Sequence, residues 1–329
     1  MAHSNNILVT GGAGFIGAHL VRHLLANGAN VVALDDLSGG YRENVPEEAT
    51  FVQGSILDAE LVNQLFEQSQ FQYVYHLAAY AAEGLSPYIR NFNYQNNLVG
   101  SANLINASVN YKVECFVFTS SIAVYGHSEP PMLESDVPQP ADPYGIAKYA
   151  VELDLKAAHD QFGLNYVIFR PHNVFGEFQN LADPHRNVAG IFMRQLLNQQ
   201  PMTVFGDGNQ TRAFTYVGDI LPAITKAPSV QAALNQTFNI GGDEVYSVNH
   251  LAEAISDALG KPRNIEYLPQ RFEATHAHAD HALAKQILDF LPQTDLTTGL
   301  QKMAQWAQAQ PLQPPRPFTN LEIRPQDGN

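Results

Sequence analysis

Ile7-Leu8-Val9-Thr10-Gly11-Gly12-Ala13-Gly14-Phe15-Ile16-Gly17 is the stretch that decides the fold. An apolar run, read as a strand, gives way to a glycine turn, and the turn opens into a helical pattern. Glycines at 11, 14 and 17 have the spacing G-x-x-G-x-x-G. Glycine permits a tight turn and close backbone approach, and the free N–H groups of a helix start attract an anion. The next apolar run, Val31-Val32-Ala33-Leu34, ends in Asp35, 18 residues after Gly17. A carboxylate there accepts hydrogen bonds from adenosine ribose hydroxyls and repels a 2′-phosphate. Loop and acid together predict dinucleotide binding, with NAD rather than NADP as the cofactor.

Outward from this loop, short apolar runs alternate with helical patterns, which predicts an α/β chain with a Rossmann-type, doubly wound parallel sheet. Phe51-Val52, Tyr73-Val74-Tyr75, Phe116-Val117-Phe118 and Tyr166-Val167-Ile168-Phe169 read as further strands, apolar enough to be buried on both faces. Helices are expected over 15–27, 58–68, 92–109 and 144–161, with Asp58 capping the second and Gly28 and Gly163 ending the first and last. After Arg170-Pro171 the rhythm breaks. A helix over 188–199, a strand at Thr203-Val204-Phe205, a sheet strand at Phe238-Asn239-Ile240 and a Ser247-capped helix to 259 follow. The expected division is a dinucleotide-binding domain, 1–170 and 216–260, and a smaller, discontinuous C-terminal substrate-binding domain, 171–215 and 261–329. The five prolines from Pro311 to Pro325 predict an irregular arm or mobile tail.

Composition excludes some function classes. Lys and Arg number 18 against 32 Asp and Glu, a formal net charge of −14, which argues against nucleic-acid or anionic-membrane partners. No signal-peptide pattern and no long apolar run is present, and the single cysteine, Cys115, lies in an apolar strand. A cytoplasmic protein is expected.

Tyr144 and Lys148 stand four apart at a helix start, in Asp142-Pro143-Tyr144-Gly145-Ile146-Ala147-Lys148. That spacing puts them on one helix face, where an ammonium favours phenolate and lowers the tyrosine pKa toward that of a general base. Thr119-Ser120-Ser121 falls at the C-terminal end of a predicted central strand, where open α/β sheets bind ligands, and a hydroxyl there can relay a proton.

Taken together, residues 6–300 resemble the nucleotide-sugar epimerase/dehydratase family of extended short-chain dehydrogenases/reductases. The matching landmarks are Thr10 to Gly17, Asp35, His76-Leu77-Ala78-Ala79, Asn96-Asn97-Leu98-Val99-Gly100, Ser120-Ser121 with Tyr125-Gly126, Tyr144 with Lys148, and Arg170 to Gly176. The resemblance implies Ser121, Tyr144 and Lys148 as the catalytic set, Lys148 also holding the nicotinamide ribose, and Asn97 as a helix asparagine bracing the active-site backbone. It implies cofactor contacts from Gly11, Gly14, Phe15, Ile16, Gly17, Asp35, Ser55, Ile56, Leu77, Ala78, Ala79, Asn97, Tyr144, Lys148 and Pro171. Gly54-Ser55-Ile56-Leu57-Asp58 departs from the family's usual Gly-Asp-Ile/Val-Arg-Asp, replacing an acid near adenine with Ser55.

The family's 4,6-dehydratases carry Thr-Asp-Glu-Val-Tyr-Gly where this chain has Ser121-Ile122-Ala123-Val124-Tyr125-Gly126. Ile122 and Ala123 cannot transfer protons, which argues against dehydration, and Asp35 argues against an NADPH-fed ketoreductase. The expectation is 4-epimerisation through a transient 4-keto sugar, of the UDP-glucose/UDP-galactose type, by a homodimer. A dehydratase, a ketoreductase and a non-catalytic NAD-binding module are the alternatives. For the substrate, the resemblance points to Ser121, Tyr144, Asn173, Asn187, Val204, Phe205, Arg212 and Arg271. Arg186, near where uronate epimerases hold a carboxylate, admits UDP-glucuronate, whereas Glu83 would disfavour an acidic sugar if it points inward. His276, His278, Asp280 and His281 resemble a metal cluster but are expected as a partly solvated strand and turn, without metal. His172 is expected near the substrate.

Overall fold

The computed structural model describes residues 6–270, 274–311, 315 and 318–324. Each apolar run of the first half forms a strand: β1 (Asn6–Thr10), β2 (Asn30–Asp35), β3 (Thr50–Gln53), β4 (Tyr73–His76), β5 (Cys115–Thr119) and β6 (Tyr166–Pro171). Four short strands follow outside that sheet: β7 (Val174–Phe175), β8 (Met202–Phe205), β9 (Thr211–Ala213) and β10 (Thr215–Tyr216). The chain then returns with β11 (Gln236–Ile240). The seven-stranded sheet has the order β11-β6-β5-β4-β1-β2-β3 and is parallel throughout. Strand order reverses between β1 and β4, the switch point at whose C-terminal crevice ligands bind.

The helices are α1 (Phe15–Ala26), α2 (Ala59–Ser69), α3 (Arg90–Tyr94), α4 (Gly100–Asn110), α5 (Pro143–Phe162), α6 (Val188–Leu197), α7 (Val217–Lys226), α8 (Val248–Leu259), α9 (Ala282–Leu288) and α10 (Leu296–Ala309). Alternation along β1 sends Ile7 and Val9 to one core and Leu8 to the other. On the first face lie Leu20 and Leu24 of α1, Ile220 and Ile224 of α7, and Leu288 of α9. On the second lie Phe66 of α2, Leu104 of α4 and Leu155 of α5. Both faces are covered, so the strands carry nearly unbroken apolar runs. Asp58 caps α2 through its side chain, and Gly163 ends α5 in the left-handed region at φ 77°. The single helix expected over 92–109 is α3 and α4 joined by a π turn, Gln95–Val99.

A third core joins Phe192 and Met193 of α6, Val204 of β8, Leu251 and Ile255 of α8, and Leu300 and Met303 of α10. Two parts of the expected domain division are corrected by this packing. Helix α8, expected within the dinucleotide domain, buries its apolar stripe against α6 and α10. Helix α9, expected with the substrate domain, buries Ala284 and Leu288 against the main sheet. Three strands complete the molecule: β12 (Val245–Ser247) pairs with β9, as does β14 (His276–Ala277), and β13 (Ile265–Leu268) pairs with β8. Described residues of the C-terminal arm form no helix or strand, as expected, but Phe318 packs on Tyr80 and Phe92. That part of the arm is docked, not a loose tail. Among the described residues no helix is long and apolar enough to cross a membrane.

Candidate active site

The glycine loop joins β1 to α1, and its three glycines are required for different reasons. A Cβ on Gly11 would fall 2.7 Å from the Ala78 nitrogen, and one on Gly17 would fall 2.0 Å from the Gly11 oxygen. Gly14 is the N-cap of α1, and a Cβ there would meet only the Gly11 oxygen, at 3.1 Å. No side chain caps α1, and its first turn holds no acid. The leading N–H groups, from Phe15 and Ile16 onward, are thus presented to an anion, which fits the pyrophosphate of a dinucleotide. Asp35, at the end of β2, accepts the Ala13 N–H (3.0 Å) and the Leu37 N–H (2.8 Å), so acid and loop form one unit. Burial pushes its carboxyl above the usual range, against those hydrogen bonds.

Around this cleft, Ala78 donates its N–H to the Thr10 hydroxyl (3.3 Å), Leu77 donates to the Thr10 carbonyl, and Ala79 follows. The Ser55 hydroxyl accepts the Leu57 N–H (3.2 Å), and Ile56 packs against Gly100. Pro171 closes β6, opposite Ile240.

Helix α5 sets the catalytic candidates. The Asp142 carboxylate accepts the N–H groups of Tyr144 (2.8 Å) and Gly145 (3.0 Å), and Pro143 takes the first helical position. Ser86 donates its hydroxyl to Asp142 (3.1 Å) and Asn93 donates its amide to the Pro143 carbonyl (2.8 Å), fixing the helix start. Tyr144 is thereby brought beside Ser121, just beyond β5, whose hydroxyl favours ionisation of the phenol. Lys148 lies one turn on, 3% exposed, with Nζ donating to the Thr119 carbonyl (2.8 Å) and standing 5.8 Å from the Tyr144 ring centre.

The electrostatics differ from expectation. Burial pushes the Tyr144 hydroxyl well above its ordinary value, and the Ser121 hydrogen bond opposes that only in part. The ammonium that was to lower it is turned to a carbonyl. Lys148 is itself pushed down to about 7 by burial, with the Glu152 carboxylate pulling the other way. Glu152 receives the Ser120 hydroxyl (2.5 Å) and forms a buried ion pair with Arg170 (2.5 Å). Arg170 donates on to Tyr125 (2.7 Å), and Tyr125 to Asn239 (2.8 Å).

Asn97 lies in the π turn, 2% exposed. Its oxygen accepts the Tyr80 N–H (2.8 Å), and its amide donates to the Tyr80 carbonyl (3.2 Å) and to Asn93 (2.7 Å). It braces the backbone just after β4.

The substrate-side candidates are less convergent. Asn173 adopts a left-handed conformation (φ 43°) and donates to the Ala213 carbonyl (3.1 Å). Asn187 caps α6, accepting the Ala189 N–H (2.9 Å). Val204 turns into the third core, so only half-buried Phe205 of the pair presents a ring outside it. Arg212 spends its fork on the carbonyls of Ala274 (2.7 Å) and Thr275 (3.0 Å). Arg271 lies outside the described residues. Arg186 pairs with Asp183 (2.8 Å), stacks over Tyr80 (4.9 Å) and, with Glu83, exerts a field on Tyr144.

His276 lies exposed in β14, and His278 and Asp280 are half-buried, so only the last histidine departs from the expected partly solvated strand and turn. His281 is buried, 2.6 Å from the buried His172 ring nitrogen and 3.2 Å from Asp243, while His276 pairs with Thr211 (2.7 Å). No metal-holding cluster occurs among the described residues. Sequence reasoning missed Glu152, Arg170, Asn93, Ser86 and Tyr80 as supports. Arg170 stood in a matching landmark without a role, and Glu152 had left a spacing signal, four residues after Lys148 on the same helix face.

Comparison with known proteins agrees with this geometry. The model of the NAD dependent epimerase/dehydratase family matches residues 7–241. A UDP-glucose 4-epimerase of Mycolicibacterium smegmatis is 35% identical, over 91% of this chain and 97% of that protein. The crystal structure of UDP-glucose 4-epimerase with UDP-glucose from Thermotoga maritima superposes with a TM-score of 0.88 at 34% identity, covering 92% and 98% of the two chains. UDP-glucuronic acid 4-epimerase from Bacillus cereus, in complex with UDP-glucuronic acid and NAD, gives a TM-score of 0.85 at 29% identity over 92% and 99%.

Two outcomes follow from the buried charges. Glu152→Gln leaves Arg170 without a counter-charge and should cost about 3–5 kcal/mol in chemical denaturation. Lys148→Met should stabilise the cofactor-free protein at neutral pH, because it removes a buried cation. The folded-state pKa of Lys148, about 7, lies below its ordinary 10.5, so the unfolded chain binds more protons between them and the wild-type protein gains stability from this group as pH rises. The advantage of Lys148→Met in urea melts should shrink across that window, and an advantage independent of pH would contradict it.

Proposed function

The chain belongs to the NAD dependent epimerase/dehydratase family and is an NAD-dependent nucleotide-sugar epimerase, and we propose that it interconverts UDP-glucose and UDP-galactose at C4. The observation that carries this choice is the meeting of Ser121, Tyr144 and Lys148 at the end of β5, followed by two side chains, Ile122 and Ala123, that hold no proton. Redox chemistry at one carbon is provided for, while acid and base for the loss of water are not.

Tyr144 takes the C4 hydroxyl proton onto its phenolic oxygen, with Ser121 holding the same substrate oxygen and relaying the proton. Bound NAD would supply the hydride acceptor and donor for C4 and, while oxidised, a positive charge. Lys148 is assigned to the nicotinamide ribose, and Gly11, Gly14, Phe15, Ile16, Gly17 and Asp35 to the pyrophosphate and adenosine. The 4-keto sugar then presents its other face, and Tyr144 gives the proton back. Asn173, Asn187, Phe205 and Arg212 are assigned to the nucleotide-diphosphate half. At the sugar, the pairing of Arg186 with Asp183 and the negative field of Glu83 on Tyr144 favour a neutral hexose over a uronate.

A homodimer fits the exposed apolar side chains Val99 of the π turn and Ile146, Leu153 and Phe162 of α5. A cytoplasmic setting fits the lone, buried Cys115.

Purified protein supplied with UDP-glucose, UDP-galactose, UDP-N-acetylhexosamines and UDP-glucuronate, with products read by NMR, tests the reaction. Interconversion of the two hexoses is expected. A dehydrated product, or turnover of the uronate alone, would overturn the assignment. Tyr144→Phe should lower kcat by about 10²-fold or more while NAD stays bound, and retained activity would exclude it as the base. Leu153→Glu should halve the mass seen by sedimentation; an unchanged mass would place any interface elsewhere.

A further inference from the structure

The C-terminal arm is fastened to the cofactor side of the molecule by contacts that reach back across most of the sequence. Glu322 accepts the N–H groups of Asn91 (2.7 Å) and Phe92 (2.8 Å), at the start of α3, where no local side chain caps the helix. The Tyr88 carbonyl accepts the N–H groups of Glu322 (2.9 Å) and Ile323 (3.2 Å). Phe318 places its ring 4.9 Å from Phe92 and 5.6 Å from Tyr80. Beside these anchors the arm walls a cavity of about 600 Å³, lined by Ser38, Gly39, Tyr41, Asp183, Thr319 and Asn320. Ser38, Gly39 and Tyr41 belong to the loop that leaves Asp35. The segment carrying Asp183 is tied to the same loop, for Asn180 donates to the Gly39 carbonyl (3.0 Å).

We infer that the arm is a strap that retains the dinucleotide, with Phe318 and Glu322 as its positioning residues. The inference rests on the epimerase reading, which supplies its reason. An epimerase must return hydride to the ketone it has just made, so a reduced cofactor that departs leaves the sugar stranded as the ketone and the site without its hydride acceptor for the next turnover. Phe318 acts through Tyr80. That residue's backbone is gripped by Asn97, and its ring lies under the Arg186 guanidinium, which is itself paired with Asp183. Glu322 acts through the start of α3, which runs directly into the π turn holding Asn97. Loosening either anchor frees the outer wall of the Asp35 loop and leaves Ser121 and Tyr144 in place.

The test is release of NAD from the loaded full-length protein, followed by trapping the freed cofactor with a coupled dehydrogenase and no nucleotide sugar present. Phe318→Ala and Glu322→Ala should each release NAD at least about tenfold faster, equivalent to ~1.4 kcal/mol, and raise the KM for added NAD with kcat at saturation unchanged. Phe318→Tyr should restore retention, and Glu322→Gln, which keeps one carbonyl acceptor, should fall between. Thermal melts of the NAD-saturated variants check that they fold, and the conservative variants decide the matter if Phe318→Ala does not. Release at the wild-type rate in the folded variants, or a fall in kcat at saturating NAD without faster release, would overturn the inference. A wild-type protein that holds NAD but epimerises no UDP-sugar would overturn the functional reading and leave the release measurement standing.

Discussion

A lysine ammonium at 3% exposure is costly to bury, and the surroundings of Lys148 are organised around keeping it there. It needs an acceptor, found in the Thr119 carbonyl at the end of β5. It needs a compensating charge, found one helical turn on in Glu152. Glu152 cannot serve alone, since a lone buried carboxylate is as costly, so Arg170 from the neighbouring β6 completes the set. Two adjacent sheet strands and α5 are thus held in register by electrostatics as well as by their apolar faces. The ion pair sits beneath the site and leaves Lys148 and Tyr144 to face it.

Much of the main sheet was legible in the sequence because burial on both faces writes itself as apolar runs, and because glycine, aspartate and proline mark where elements begin and end. The glycine loop, Asp35, the Asp58 cap and the Tyr144–Lys148 spacing are local signals of that kind. What escaped depends on distance. The bond between Asn93 and the Pro143 carbonyl spans 50 positions, and the contact between Arg170 and Tyr125 spans 45. Neither spacing carries a period that could announce it. The exchange of α8 and α9 between cores has the same origin, for an amphipathic helix declares a buried face without declaring its partner.

Electrostatic inference fell short at Tyr144 for a related reason. Helical spacing places Lys148 on the same face as Tyr144 but does not say where its flexible chain will end, and the Thr119 carbonyl captured it. Burial then governs the phenol and pushes its ionisation upward. In the proposed chemistry the deficit must be met by charge that arrives with the cofactor, which ties proton removal to cofactor occupancy.

That dependence bears on the π turn at Gln95–Val99. Inserting an extra residue into one helical turn breaks the regular ladder and frees Asn97 to spend both ends of its amide on Tyr80. The same asparagine bonds Asn93, which holds the start of α5 through Pro143. A single helical irregularity therefore links the edge of the cofactor cleft, at Tyr80, to the helix that carries Tyr144. Asn97 is thus shared between Tyr80 and the start of α5, whereas the Lys148–Glu152–Arg170 set bonds to Thr119, Ser120 and Tyr125. The site thus joins a rigid electrostatic floor to a wall built from backbone hydrogen bonds and stacked rings.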